Sequence, residues 1–128
     1  MAKRRYLLDT HALLWWLSNP KRLSAKARRV LTAGENTVFV SAAAAWEMSI
    51  KRALGRLDFP DDLEDALDSQ AFTVLPIELD HALGAGDLPL HHGDPFDRMQ
   101  IAQALLEDLV VITRDDAFEA YGVRVLTA

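Results

Sequence analysis

Four acids sit where an alternating strand-and-helix chain would display them. Leu7-Leu8-Asp9 and Val111-Ile112-Thr113-Arg114-Asp115 each place an aspartate just past an apolar run. Glu47 interrupts Ala42 to Ile50, the most apolar helical stretch of the chain, and Asp97 follows Asp94-Pro95-Phe96 in a first helical turn. Carboxylates brought into one pocket repel one another and raise each other's pKa unless a cation is present, so four that converge predict a bound metal. The chain has no cysteine. Hard oxygen donors without thiolate point to Mg²⁺ or Mn²⁺, which keep several waters and bind a substrate phosphate beside one or two carboxylates. The chemistry that follows is phosphodiester hydrolysis, with one metal acidifying the attacking water and a second, if present, stabilising the leaving oxygen.

Each acid also has a purely structural account. Glu47 could pair with Lys51 at i,i+4 on a solvated stripe, for only ~0.2–0.5 kcal/mol. Asp94 is a natural N-cap, and Asp97 three residues on sits well against the positive helix end. Asp9 and Asp115 could each cap the turn that follows them. It is the four together that favour a site.

The elements that must position these acids alternate. Tyr6-Leu7-Leu8 reads as a strand feeding a helix from His11 to Leu17; Asn19-Pro20 breaks the chain, and Ser24 caps a basic helix from Ala25 to Ala33 that Gly34 closes. Thr37 to Val40 is a second strand, and Ser41 caps a helix through Leu54. Pro60-Asp61-Asp62 opens an acidic helix to Ser69, Phe72 to Leu75 is a third strand, and Glu78 to Gly84 a short helix. Gly86 to Gly93 is loop by its Gly and Pro content; Pro95 takes the favoured first position of the next helix. Leu109 to Ile112, a single helical turn over Asp115 to Tyr121 and Val123 to Leu126 complete the chain. Short, nearly continuous apolar strands separated by helices require a mostly parallel sheet of four to five strands covered on both faces, a three-layer α/β/α domain. In such a sheet ligands sit beyond the carboxyl ends of the strands where the winding reverses, so neighbouring first and fourth strands would bring Asp9 and Asp115 face to face.

Composition sets the outer bounds. With 128 residues, half of them hydrophobic and a quarter charged, the chain fits one domain spanning 1–128 that hides roughly two-thirds of its unfolded surface. Lack of cysteine excludes disulfide scaffolds and thiolate metal sites and suits a reducing cytoplasm. No apolar run approaches the ~18 residues of a membrane helix. Lys3-Arg4-Arg5 resembles a signal-peptide start, but Asp9 interrupts the apolar stretch that follows, so a soluble, unprocessed protein is expected. Residues 1–56 hold 11 of the 14 basic residues and three acids, a balance of +8 that leaves −13 for the remainder. Such asymmetry suits either a face that meets a polyanion or simply solvated helix faces. No Gly-rich phosphate loop or dinucleotide fingerprint is present.

The strings Leu8-Asp9-Thr10-His11-Ala12-Leu13-Leu14-Trp15-Trp16-Leu17, Ser41 to Lys51 around Trp46-Glu47-Met48, Leu88 to Met99 with His91-His92-Gly93-Asp94-Pro95-Phe96-Asp97-Arg98, Ile101 to Ala104, Thr113-Arg114-Asp115 and Tyr121-Gly122-Val123 together resemble PIN-domain ribonucleases of the VapC toxin type. The resemblance runs from about Tyr6 to Leu126. It implies Asp9, Glu47, Asp97 and Asp115 as the catalytic, metal-binding acids of a Mg²⁺- or Mn²⁺-dependent endoribonuclease, acting on RNA and neutralised by a cognate VapB-type antitoxin. It further implies that Thr113 supports the site as the hydroxyl of a Thr-x-Asp motif, whose spacing selects Asp115 over its neighbour. Thr10, from the opening Asp-Thr, supports the site beside Asp9. Asp94 and Asp116 stay open as outer or additional metal ligands.

Consecutive Trp15 and Trp16 point about 100° apart on one helix, and a small domain seldom buries both. They are either two core aromatics at a helix edge or an interface, and the resemblance favours the interface, implying a homodimer and an apolar antitoxin groove. His91-His92 reads as a solvated pair lacking further soft ligands for zinc, and His11 as a satisfied structural histidine. Two rivals remain. A receiver-type signalling module would need paired acids after strand one and an aspartate after strand three, where this chain has Asp9 alone and Pro76-Ile77. A catalytically inactive PIN-like binding module is disfavoured by the presence of all four acids.

Overall fold

A computed structural model describes residues 4–128; Lys3 of the basic amino-terminal group lies outside them. Five strands, β1 (Arg5–Leu8), β2 (Thr37–Ser41), β3 (Thr73–Leu75), β4 (Val110–Thr113) and β5 (Val125–Thr127), form one sheet in the order β3-β2-β1-β4-β5. Every neighbouring pair is parallel. Helices α1 (Thr10–Ser18), α2 (Ala25–Thr32), α3 (Ala42–Ala53), α4 (Leu63–Ser69), α5 (Leu79–Asp87) and α6 (Pro95–Glu107) make the connections, with 3₁₀ turns at Pro20–Arg22 and Asp116–Tyr121.

The two faces of the sheet are both buried because successive strand residues alternate sides while both sides are apolar. Leu8 and Ile112 join Tyr6, Leu13, Val40, Met48 and Phe72 in one cluster, whereas Leu7 and Val111 join Ile101, Ala104, Leu109 and Phe118 in the other. The result is the three-layer α/β/α domain that the strand composition requires. From β1 the chain winds outward to β2 and β3, and from β4 to β5, so the reversal falls between β1 and β4, whose register pairs Leu7 with Val111 and Leu8 with Ile112. The residues just past this pair, Asp9 and Thr113, are thereby brought together at the carboxyl edge.

Local chemistry sets most boundaries. Ser24 and Ser41 accept from the backbone N–H of Ala27 and Ala43, and Asp94 caps α6 with Pro95 at the first position. Three boundaries differ from the sequence reading by more than one residue. Helix α4 begins at Leu63, not Pro60, because Asp62 is its cap and accepts from Asp65 N–H. Helix α5 runs three residues past Gly84, since packing against α6 outweighs the low helix propensity of its glycines; a Cβ at Gly84 would lie 3.4 Å from Leu106 Cδ1. The last strand begins at Val125, after Gly122 ends the preceding turn with φ of 78°.

Trp15 and Trp16 are both half-buried against the core cluster. The Trp15 ring is stacked by the guanidinium groups of Arg22 and Arg114, 4.8 and 4.3 Å from its centroid, and Trp16 Nε1 donates to Gln70 Oε1 at 3.0 Å. The bare aromatic is instead Trp46, 60% exposed, edge-on to Phe96. Among the described residues no helix is long and apolar enough to cross a membrane.

Candidate active site

Asp9 is, with Glu47, one of the two buried acids of the four. Its Oδ1 accepts from Ala12 N–H at 2.8 Å, capping α1, and its Oδ2 accepts from Thr113 Oγ1 at 2.5 Å. The same Thr113 hydroxyl accepts from Asp115 N–H at 3.0 Å, so one side chain ties the ends of β1 and β4 and sets the spacing of both acids. Burial pushes the Asp9 carboxyl above its ordinary value; the bonds from Thr113 and Ala12 and the charge of His11 pull it back, and the charge of Asp115 adds to the rise. Thr10, also buried, accepts from Gln100 Nε2 at 3.2 Å and so links α1 to the first turns of α6.

Glu47 is paired, but not on a solvated stripe. The i,i+4 bridge to Lys51 exists, Nζ to Oε2 at 2.7 Å, yet the residue is 3% exposed and its Oε1 is buried with no hydrogen-bond partner. A buried carboxylate oxygen without a partner is costly, so the pair with Lys51 does not complete it. Asp94 caps α6, its Oδ1 accepting from the N–H of Phe96 and of Asp97. Asp97 lies in that first turn, and its carboxyl is pushed up to about 7, first by burial, then by Asp94, with Glu47 and Asp9 adding and His92 opposing. Asp115 caps the 3₁₀ turn through Ala117 N–H while remaining largely exposed, and Asp116 stands exposed beside it.

His92 is where the structure corrects the sequence reading. The ring is not solvated: it lies edge-on to Phe118, and its Nε2 stands 2.9 Å from Asp97 Oδ2 and 3.1 Å from Asp115 Oδ2. His91, by contrast, is exposed. The loop that carries them is held from two sides. Arg98 donates to the carbonyls of Ala85, Leu88, Pro89 and His92, while Tyr121 Oη accepts from the N–H of His91 and His92 and donates to Pro89 O. Among the described residues, His92, Asp97 and Asp115 are the group whose ligand atoms all lie within 4.8 Å of one another. Asp9 and Glu47 stand in the field of Asp97, with Asp9 turned onto Thr113 and Glu47 onto Lys51; Asp94 and Asp116 do not join the group. His11 is exposed in the first turn of α1.

Fold and site together define a parallel α/β domain with a cluster of acids at its switch point. The model of the PIN domain matches residues 6–123, and the chain belongs to that family. No curated protein matches it by sequence. Its fold is similar to that of VapBC2 from Rickettsia felis bound to a promoter DNA fragment (TM-score 0.70, 14% identity, covering 95% of this chain and 97% of that one). It is also similar to FitAcB from Neisseria gonorrhoeae (0.67, 23%, 95% and 96%) and to DNA-bound VapBC from Salmonella typhimurium (0.70, 18%, 96% and 97%).

Proposed function

We propose that this chain is a Mg²⁺- or Mn²⁺-dependent endoribonuclease toxin of a type II toxin–antitoxin system, hydrolysing RNA phosphodiester bonds with Asp9, Glu47, Asp97 and Asp115 as its catalytic acids. The observation that carries the reading is the convergence of acids on Asp97, whose carboxyl is pushed up to about 7 first by burial and then by the charges of Asp94, Glu47 and Asp9. Oxygen-rich donors, together with the orphaned Glu47 Oε1, fit a hard divalent cation. When bound, such a cation supplies a water of lowered pKa and neutralises charge at the scissile phosphate.

The chain's own part is positioning. Thr113 fixes Asp9 against Asp115, Asp94 sets the first turn of α6 and with it Asp97, and Thr10 braces that helix through Gln100. Lys51 holds one oxygen of Glu47 and leaves the other free to ligate. Asp116 would serve as an outer ligand. Lys51 is the member of the basic amino-terminal half that meets an acid of the site, and it offsets negative charge where RNA phosphate must approach. The structural relatives are named as VapBC or FitAcB, which supports a VapB-type antitoxin as partner; a homodimer acting in the cytoplasm is part of the same proposal. Trp15 and Trp16, braced from within, would offer their outer edges to that partner.

The test is to incubate purified protein with total cellular RNA and Mn²⁺ or Mg²⁺ beside an Asp9→Asn variant and to map every new 5′ end. Discrete ends made by the wild type alone and abolished by chelator are expected. A folded, antitoxin-free wild type that yields the same ends as the variant would sink the nuclease reading.

A further inference from the structure

His92 sits between two acids of the site, and the hydrogen bonding of its ring assigns it a particular part. Nδ1 lies 3.2 Å from the backbone N–H of Asp94, a group that can only donate, so Nδ1 keeps its lone pair and accepts. The ring hydrogen therefore rests on Nε2, and Nε2 faces Asp97 Oδ2 at 2.9 Å and Asp115 Oδ2 at 3.1 Å, both acceptors. A histidine built to ligate a metal has the reverse arrangement: a bare nitrogen toward the ion and its other N–H given to a carbonyl or carboxylate. His92 thus brings a donor, not a ligand, to the space its two partner carboxylates share.

We propose that His92 is a placeholder for the divalent cation: its Nε2–H bridges Asp97 and Asp115, holds the two carboxylates at ligating distance from each other, and is displaced from between them when a cation binds. The proposal rests on the metal-dependent reading above. It also accounts for the fixation of the loop. Arg98 and Tyr121 hold the main chain of His92 and of the residues before it through four carbonyls and two N–H groups, so a displaced ring turns about its own side-chain bonds while its Cα stays in place. Hydrogen bonds to ionised acceptors are the strong ones, and a cation that enters must first break this bridge. His92 therefore weakens the apparent metal affinity while keeping the site assembled.

The test uses the full-length protein stripped with chelator, as wild type, His92→Ala and His92→Gln, titrated with Mn²⁺ by calorimetry and with Mg²⁺ by proton NMR. His92→Ala should bind Mn²⁺ about tenfold more tightly than wild type, and His92→Gln, which keeps a donor, should fall between. In wild type, the downfield ring N–H resonance that both variants lack should be lost or moved upfield as Mg²⁺ is added. Folded His92→Ala that binds Mn²⁺ no better than wild type overturns the placeholder role and leaves the nuclease reading standing. So does nitrogen coupling from His92 to bound Mn²⁺ in pulsed electron paramagnetic resonance, which would make the ring a ligand. A wild type that binds neither ion overturns both proposals.

Discussion

Helix α6 carries two buried polar regions, and they are built on opposite rules. In its second half, Gln103 Oε1 accepts from Ser41 Oγ at 2.6 Å, Gln103 Nε2 donates to Pro76 O, and the fully buried His81 accepts from Glu78 N–H at Nδ1 and faces Glu107 with Nε2 at 3.2 Å. Every donor there meets an acceptor. In its first half, Gln100 Oε1 and the nearby Glu47 Oε1 are buried without a partner, and Asp97 is crowded by like charge. Even the histidines differ within one shared pattern: each accepts a backbone N–H at Nδ1, but His81 gives its Nε2–H to one carboxylate and His92 to two. A satisfied network specifies the fold, whereas an unsatisfied one costs stability and persists where chemistry needs it.

The sharpest way to break this contrast is to substitute in each half and compare activity with stability. Asp9→Asn should lower RNA cleavage by more than about a hundredfold, roughly 3 kcal/mol of transition-state stabilisation, while leaving the unfolding midpoint the same or higher. Gln103→Leu should do the opposite. It strips Ser41 and Pro76 of their partner and should destabilise the protein by about 2–3 kcal/mol in urea titration, with cleavage per folded molecule unchanged. If Gln103→Leu were neutral in stability and Asp9→Asn strongly destabilising, the assignment of the two halves would be inverted.

A smaller effect lies in pH. The Asp97 carboxyl rises from 3.8 to about 7 on folding, so the folded chain holds this proton more tightly than the unfolded chain. Without a divalent cation, that contribution is fully present below pH 3.8 and is lost as pH climbs to about 7. A shift of this size corresponds to about 4 kcal/mol, and since Asp97 is partly exposed, solvent screening reduces it to about 1–2 kcal/mol. Asp97→Asn measured in chelator should flatten the stability profile between pH 4 and 7 and raise the melting temperature at pH 8. Excess Mg²⁺ should raise the wild-type melting temperature at pH 8 and leave the variant's nearly unmoved. A variant less stable than wild type at pH 8 in chelator would mean that Asp97 is not the strained group.

The placement of the acids was legible because it is written locally. An aspartate after an apolar run, an Asp-Pro before a helix and an acid within an alanine-rich helix each fix a position without knowledge of the rest of the chain. The pairing of β1 with β4 is not local, yet the winding rules of parallel sheets reach it. His92 was not legible, because its partners arrive from α6 and from the turn after β4, five and 23 positions away, and its loop is shaped by Arg98 and Tyr121 rather than by its own residues. The pair of Glu47 with Lys51 was legible in the i,i+4 spacing, but it forms on a buried helix face and not on a solvated stripe. The extension of α5 past Gly84 was hidden for the same reason as His92: it depends on what α6 presents to it.

The mildest test concerns that last contact, on the satisfied half of α6. Gly84→Ala would place its Cβ 3.4 Å from Leu106 Cδ1 and 3.8 Å from Ala102 Cβ, ordinary van der Waals distances, and Leu106 is half exposed and free to move. Because alanine loses less backbone entropy than glycine on entering a helix, the variant should gain about 0.5–1 kcal/mol in urea titration, with cleavage unchanged. The outcome separates two causes of the long α5. A gain means that contact with α6 carries the helix past an unfavourable residue. A loss of similar size would mean that the close approach itself needs a bare Cα at position 84, and that the tight fit of α5 against α6 is a specified feature of the structural half.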